Sequence, residues 1–466
     1  MHTSDGAPDL SGLPGDFVWG AATAAFQIEG DAEHRGDSIW DAFCREPGRI
    51  ADGSDGRVAC DHVGRVREDV ALLRELGVDA YRFSIAWPRV QPSGAGRLEP
   101  AGLAFYDRLV DLLLDAGVQP WATLYHWDLP LPLHERGGWP ERETAERFAD
   151  YATSVHAALG DRVRHWMTLN EPWCSAWLGY GSGRHAPGVT DHALAARATH
   201  HLLLGHGRAI RAMREQAPAD HRLGIVLNLA GFTPAPSLPA AEAARVEAAA
   251  GLLDGMQNRL WLDAVLEGRY PQDVLDRLSP ALPDAVAEGD LAEIAAPVDF
   301  LGVNYYFDHH LAPADGPGGL DEYPGGEGLV QQAEGPDVTA TGWPVTPDGF
   351  ARMLRRIHTE HPSAPPVVVT ENGSAYDDGD DPLDDPRRVA YLQRHLGALA
   401  AAVRDGADVR GYFAWSLMDN FEWAEGYTKR FGLARVDYET LERRPRRSFE
   451  AYRDLVAAQK AGSRRA

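Results

Sequence analysis

The sequence predicts an α/β protein, folded as a single-domain (β/α)8 TIM barrel with long loops after its strands. Three observations predict it. Eight apolar runs rich in β-branched and aromatic residues recur along the 466 residues. They are nearly continuous in hydrophobicity, as befits strands buried on both faces of a parallel sheet. Between them lie longer segments, several of which place leucines at helical spacing.

The first run, Val18–Ala24, leads into Gln27 and Glu29. Leu72, Leu73 and Leu76 mark a helix before the second run, Ala80–Trp87, which holds Arg82. Leu109, Leu112 and Leu113 mark another before the third, Pro120–Trp127, which ends in His126-Trp127-Asp128. The fourth, His165–Glu171, ends in Asn170-Glu171, and the fifth, Leu223–Leu229, carries Asn228. The sixth, Asp299–Tyr306, ends in Asn304-Tyr305-Tyr306. A long stretch, residues 307–347, reads as an irregular insertion before the seventh run, Val367–Glu371. Tyr391, Leu392, His395 and Leu396 mark the next helix, and the eighth run, Val409–Leu417, leads through Trp415 toward Glu422 and Trp423. No linker, repeat or break in composition divides the chain. One domain is expected over residues 17–458, between an N-terminal tail (1–16) and a C-terminal tail (459–466).

Composition narrows the function. A formal charge of −24 disfavours nucleic acid and anionic membranes as partners. The only lysines, Lys429 and Lys460, stand in a loop and a polar tail, which argues against Schiff-base chemistry such as an aldolase. No basic start followed by an apolar run marks a leader, and no apolar stretch approaches the roughly 20 residues of a membrane span. Cys44, Cys60 and Cys174 form no CxxC pair and read as free thiols, so a cytoplasmic location is expected. His200-His201 and His309-His310 lack an HExxH context, and Asp377–Asp381 lacks the spacing of a calcium loop. No metal and no cofactor are expected, which weighs against a metal-dependent isomerase. Gly179-Tyr180-Gly181-Ser182-Gly183 departs from GxGxxG and reads as loop. The oligomeric state is not legible.

In such barrels chemistry sits at the C-terminal ends of the strands. Here those ends collect Gln, His, Asn, Glu, Tyr and Trp, and two of them present a glutamate each, Glu171 and Glu371. A facing pair of carboxylates is the minimal equipment for breaking a glycosidic bond. A lone glutamate at a strand end is ordinarily a solvated loop residue, so the surrounding residues decide.

They are FVWGAATAAFQIEG, YRFSIAWPR, LYHWDLP, TLNEP, FLGVNYY, VTENG and AWSLMDNFEW, in that order along almost the whole chain. In these seven motifs the sequence resembles the family 1 glycoside hydrolases of the β-glucosidase type. The resemblance implies roles residue by residue. Glu171 matches the general acid/base and Glu371 the nucleophile. Gln27, His126, Asn170, Glu422 and Trp423 match groups that hold the sugar, and Trp415 matches the aromatic floor beneath it. Tyr306 and Arg82 match residues that contact the nucleophile. Asn228 is a further polar strand end in a supporting position, and Trp343 is a candidate for the entrance that receives the leaving group.

The resemblance therefore implies a retaining β-glucosidase that takes small β-glucosides or oligosaccharides, including those of cellulose breakdown, with galactosides and fucosides as further substrates. Related plant thioglucosidases carry Gln where this chain has Glu171, which favours O-glycosides. Related 6-phospho-glycosidases replace the acidic residue that matches Glu422, and a carboxylate there repels a sugar phosphate. Two other uses of the same equipment stand beside this reading: a non-catalytic sugar-binding barrel, and a transglycosylase that passes the same intermediate to an alcohol.

Overall fold

The computed structural model describes residues 8–316, 319–333 and 337–463. Its centre is a closed parallel barrel of eight strands: β1 (Val18–Ala22), β2 (Ala80–Ser84), β3 (Gln119–Tyr125), β4 (His165–Asn170), β5 (Arg222–Asn228), β6 (Phe300–Asn304), β7 (Val367–Asn372) and β8 (Val409–Trp415). Each strand pairs with its neighbours in sequence, and β1 closes the ring by pairing with β8, Val18 opposite Gly411 through Ala22 opposite Trp415. The predicted fold class is the observed one.

Helices between the strands cover the outside. Helix His62–Leu76 buries Val66, Val70, Leu73 and Leu76, and helix Pro386–Arg404 buries Tyr391, Leu392, His395 and Leu396. These are the i, i+3, i+4 positions that a helix turns to one side. Inside the barrel, near the N-terminal ends of the strands, Trp121 lies 4.0 Å from His165 in a parallel stack and also contacts Phe300 and Phe413. Gly20 leaves the room: a Cβ there would lie 2.2 Å from the Phe413 ring. This aromatic plug fills the base and leaves polar groups above it, toward the C-terminal ends.

Seven of the eight runs read from the sequence overshoot the strands at that C-terminal end, by one to three residues. Ala24, Trp87, Trp127, Tyr305 and Leu417 are apolar and buried but lie past the last paired residue of the sheet; Trp127 lines the pocket, and Trp87 packs on Phe148 and Tyr151. The stretch 307–347 is not wholly irregular. Within it His309–Pro313 and Leu329–Gln331 form a small sheet with Phe232–Pro234, standing over the barrel mouth. At the termini, Leu13 and Phe17 are buried, and the last helix runs to Ser463 with Gln459 accepting a bond from the Trp19 indole. Residues 1–7 and 464–466 of the expected tails lie outside the described residues. Among the described residues no helix is long and apolar enough to cross a membrane.

Candidate active site

Two register shifts fall where the sequence places its glutamates. On β4 the pairing with β5 slips between Met167 and Asn170, and on β7 the pairing with β6 slips between Val369 and Glu371. Such bulges re-aim side chains at the ends of strands. Glu171 follows the first at φ +45°, in the left-handed region that non-glycine residues seldom adopt. Trp127 and Trp423, also beside the pocket, share this conformation at φ +77° and +52°. Three such residues around one cavity are what a functional site tolerates and a plain scaffold avoids.

The cavity has a volume of about 370 Å³. Nine of the residues singled out in the sequence line it: His126, Glu171, Asn228, Tyr306, Trp343, Glu371, Trp415, Glu422 and Trp423. The other three, Gln27, Arg82 and Asn170, sit behind this wall and hold it.

The two glutamates have opposite surroundings. Arg82, fully buried, donates to Glu371 Oε1 at 2.5 Å, and the Tyr306 hydroxyl donates to Oε2 at 2.7 Å. Burial raises the Glu371 carboxyl above its ordinary range, while Arg82 and Tyr306 pull it back toward the ionised form. Burial lifts Tyr306 far above its ordinary range, so its proton stays in place to donate. Glu171 has no cation against it. Oε1 accepts from Asn304 Nδ2 at 2.6 Å and Oε2 from the Cys174 thiol at 3.1 Å. Burial, reinforced by the charge of Glu371, pushes Glu171 up to about 7. Burial raises both carboxyls, but only Glu371 has a cation and a phenol against it to favour the ionised form, so Glu171 is the readier of the two to hold a proton.

A second tier fixes the geometry. Arg82 also donates to Asn170 Oδ1 at 2.6 Å, and Asn304 Nδ2 donates to the same oxygen at 3.0 Å. With its oxygen doubly occupied, Asn170 turns its amide nitrogen to His126 Nε2 at 3.0 Å. His126 must accept there, so its proton sits on Nδ1, which is buried without a protein partner. Burial and the Arg82 charge keep this histidine neutral. Glu422 Oε2 accepts from Asn420 and from Gln27, each at 3.3 Å, and burial pushes this carboxyl up to about 8. The Gln27 side-chain oxygen, like His126 Nδ1, has no partner. An array of buried polar groups with unused capacity is suited to a polyhydroxylated ligand, because each unmet group gains from a hydroxyl.

Aromatic rings complete the wall. His126 stacks between Trp415 at 5.9 Å and Trp423 at 6.0 Å, and Trp423 is backed by Phe26, Trp40 and Trp127. Toward the mouth, Trp343 packs on Phe307 at 4.9 Å and Tyr306 at 5.4 Å. Gln257, Glu322 and Gln331, which no sequence motif marks, add polar groups to the cavity lining. Asn304 lies outside the roles that the resemblance implies, although its place at a strand end beside Tyr305 and Tyr306 is a usable signal. From sequence Cys174 reads only as a free thiol, because only coordinates bring its sulfur to Glu171. Among the described residues one triad, Asp263, Glu267 and His361, has ligand atoms close enough for a metal ion. Arg269 already pairs with both of its carboxylates, at 2.7 and 2.6 Å, and none of the three lines the cavity.

A parallel barrel whose mouth sets a carboxyl raised toward neutral pH opposite one bound to a cation, framed by tryptophans and hydroxyl-binding amides, defines a glycoside-cleaving enzyme. The profile of glycosyl hydrolase family 1 matches residues 10–461, and the chain belongs to that family. It is 48% identical over 457 residues to the thermostable beta-glucosidase B of Thermobispora bispora, covering 97% of this chain and 92% of that one. It is 45% identical to the bifunctional beta-D-glucosidase/beta-D-fucosidase of Bifidobacterium breve, covering 96% of this chain and 98% of that one. The crystal structure of the psychrophilic beta-glucosidase of Micrococcus antarcticus superposes with a TM-score of 0.90 at 45% identity, over 96% of this chain and 98% of that one.

Proposed function

We propose that this chain is a retaining β-glycosidase that removes terminal non-reducing β-D-glucosyl residues from small β-glucosides and short oligosaccharides, and also accepts β-galactosyl or β-fucosyl groups. The observation that carries the reading is the unequal treatment of the two carboxyls. Glu371, ionised by Arg82 and Tyr306, attacks the anomeric carbon. Glu171 gives its proton to the glycosidic oxygen as the C–O bond breaks. The product is a glycosyl ester on Glu371. Water then attacks that ester, its proton passes to Glu171, and the sugar leaves with its original configuration.

Around this centre, Glu422 and Gln27 accept from sugar hydroxyls, and His126 Nδ1 donates to one. Asn170, fixed by Arg82 and Asn304, faces the hydroxyl next to the anomeric carbon, where a bond strengthens in the transition state. Trp415 and Trp423 meet the C–H face of the ring. Asn228 supports the opposite wall, and Trp343 receives the leaving group. Cello-oligosaccharides are expected among the substrates. The free thiols Cys44, Cys60 and Cys174 support a cytoplasmic setting.

A Glu371→Gly variant tests the assignment. It should lose turnover of 4-nitrophenyl β-glucoside and regain it with azide, releasing α-glucosyl azide. Rescue that yields the β-azide would instead assign the nucleophile's role to Glu171.

A further inference from the structure

Cys174 reaches into the cavity, and the mechanism above leaves it without a task. It opens the π-helix Cys174–Gly181, and its backbone N–H donates to the Glu171 carbonyl at 2.9 Å. This turn carries its sulfur to 3.1 Å from Glu171 Oε2. From β5, Asn228 Nδ2 donates to the same sulfur at 3.6 Å. Burial and the neighbouring Glu171 hold the thiol protonated far above its ordinary range, so it is a donor at every working pH and no nucleophile.

We propose that Cys174 is a positioning residue for the acid/base: its S–H donates to Glu171 Oε2, holds that oxygen toward the leaving group, and stabilises the carboxylate when Glu171 acts as base. The proposal rests on the assignment of Glu171 made above. The physical need is plain. Glu171 must give a proton in the first step and take one in the second, so its affinity for the proton has to stay near the working pH. Burial and Glu371 both raise it. A cation set directly against it, as Arg82 is against Glu371, would lower it too far. Two neutral donors, Asn304 and Cys174, correct it by a smaller step, and Asn228 polarises the thiol in the useful direction. The other groups that face Glu171 are Glu371, Arg82 and Tyr306, with Arg184, His126 and Glu422 lining the same cavity. None of these touches Oε2 in this structure, which leaves the sulfur as its donor.

The test is the alkaline limb of kcat/KM against pH for cellobiose, which falls as Glu171 loses its proton in the free enzyme. Cys174→Val keeps the bulk and removes the donor. Without it the carboxylate is less favoured, so the limb should move up by roughly half a pH unit. Cys174→Ser keeps a hydrogen-bond donor and should hold the limb at or below that of the wild type. A residue that merely packs would lower activity at all pH values and leave the limb in place. A limb in Cys174→Val at or below the wild-type position overturns the proposal, as does a common shift of Val and Ser variants. Cys174→Ala gives a second donor-free variant should Val not fold, with thermal unfolding as the check. Glu171→Gln separates the two layers: a wild-type alkaline limb in that variant would remove the acid/base assignment itself, whatever the Cys174 variants do.

Discussion

At the scale of single residues, the site is an exercise in making two identical side chains unlike. Glu371 owes its charge to Arg82, whose guanidinium reaches Glu371 with one nitrogen and Asn170 with another. Replacing Arg82 by Met removes the cation and raises the carboxyl further above its ordinary range. Glu371 must be ionised to attack, so activity is lost as pH falls through its pKa. The acidic limb of kcat/KM should therefore move to higher pH in Arg82→Met, while the alkaline limb set by Glu171 moves far less. An unchanged acidic limb would mean that Arg82 is structural only. Glu171→Gln should lower turnover of alkyl glucosides by roughly 10²–10⁴-fold, the usual worth of a positioned proton donor. Attack on a dinitrophenyl glucoside, whose leaving group needs no proton, should be far less affected. The identity of both glutamates was legible in the sequence, because motif context marks them. Their difference was not. It depends on which donors reach which oxygen, and Arg82 comes from β2 while Asn304 and Tyr306 come from the end of β6, more than 200 residues away.

At the scale of elements, strand ends are built to depart from regular pairing. The bulges on β4 and β7 and the left-handed Glu171 aim side chains that an ideal strand would point elsewhere. Gly373 lets β7 end against β8: a Cβ on it would lie 1.8 Å from the Trp415 carbonyl oxygen. Gly373→Ala should push the two strand ends apart. It should cost about 1–3 kcal/mol of stability by overpacking and lower kcat on every substrate, since Glu371 and Trp415 both move. Thermal unfolding and a kinetic panel would show this, and an unchanged melting temperature with full activity would contradict it. The alternation of apolar runs and leucine-spaced helices made all eight strands readable. Their ends were not, because buried aromatic residues past the strand ends, such as Trp87 and Trp127, look the same as strand residues in one dimension. The small sheet over the mouth was hidden for the opposite reason. Its strands are three to five residues long and lie among glycines and prolines.

At the scale of the whole molecule, catalysis and stability pull in opposite directions. Glu171 and Glu422 are raised to about 7 and 8 by burial. A group raised in the folded state leaves the fold unpenalised below its unfolded pKa, near 4.5, and the penalty grows as pH rises to the folded value. Glu171→Gln and Glu422→Gln, which have no charge to desolvate, should therefore melt higher than the wild type at pH 8 and match it near pH 4.5. A gap of the opposite sign would contradict the burial argument. Acid acts elsewhere. Burial lowers His156, His165, His201 and His309 to about 4, so these rings fold neutral. The unfolded chain binds their protons first, and stability should fall as pH drops from about 6.5 toward 4, measurable as a declining melting temperature.

The central claim is that Glu371 becomes covalently bonded to the sugar. Incubation with 2,4-dinitrophenyl 2-deoxy-2-fluoro-β-glucoside slows the second step and traps that ester. Mass spectrometry of the proteolysed enzyme should then find one fluoroglucosyl group per chain, on the peptide that contains Thr370-Glu371-Asn372. A label on any other residue, or burst-free hydrolysis with no label, would contradict the account.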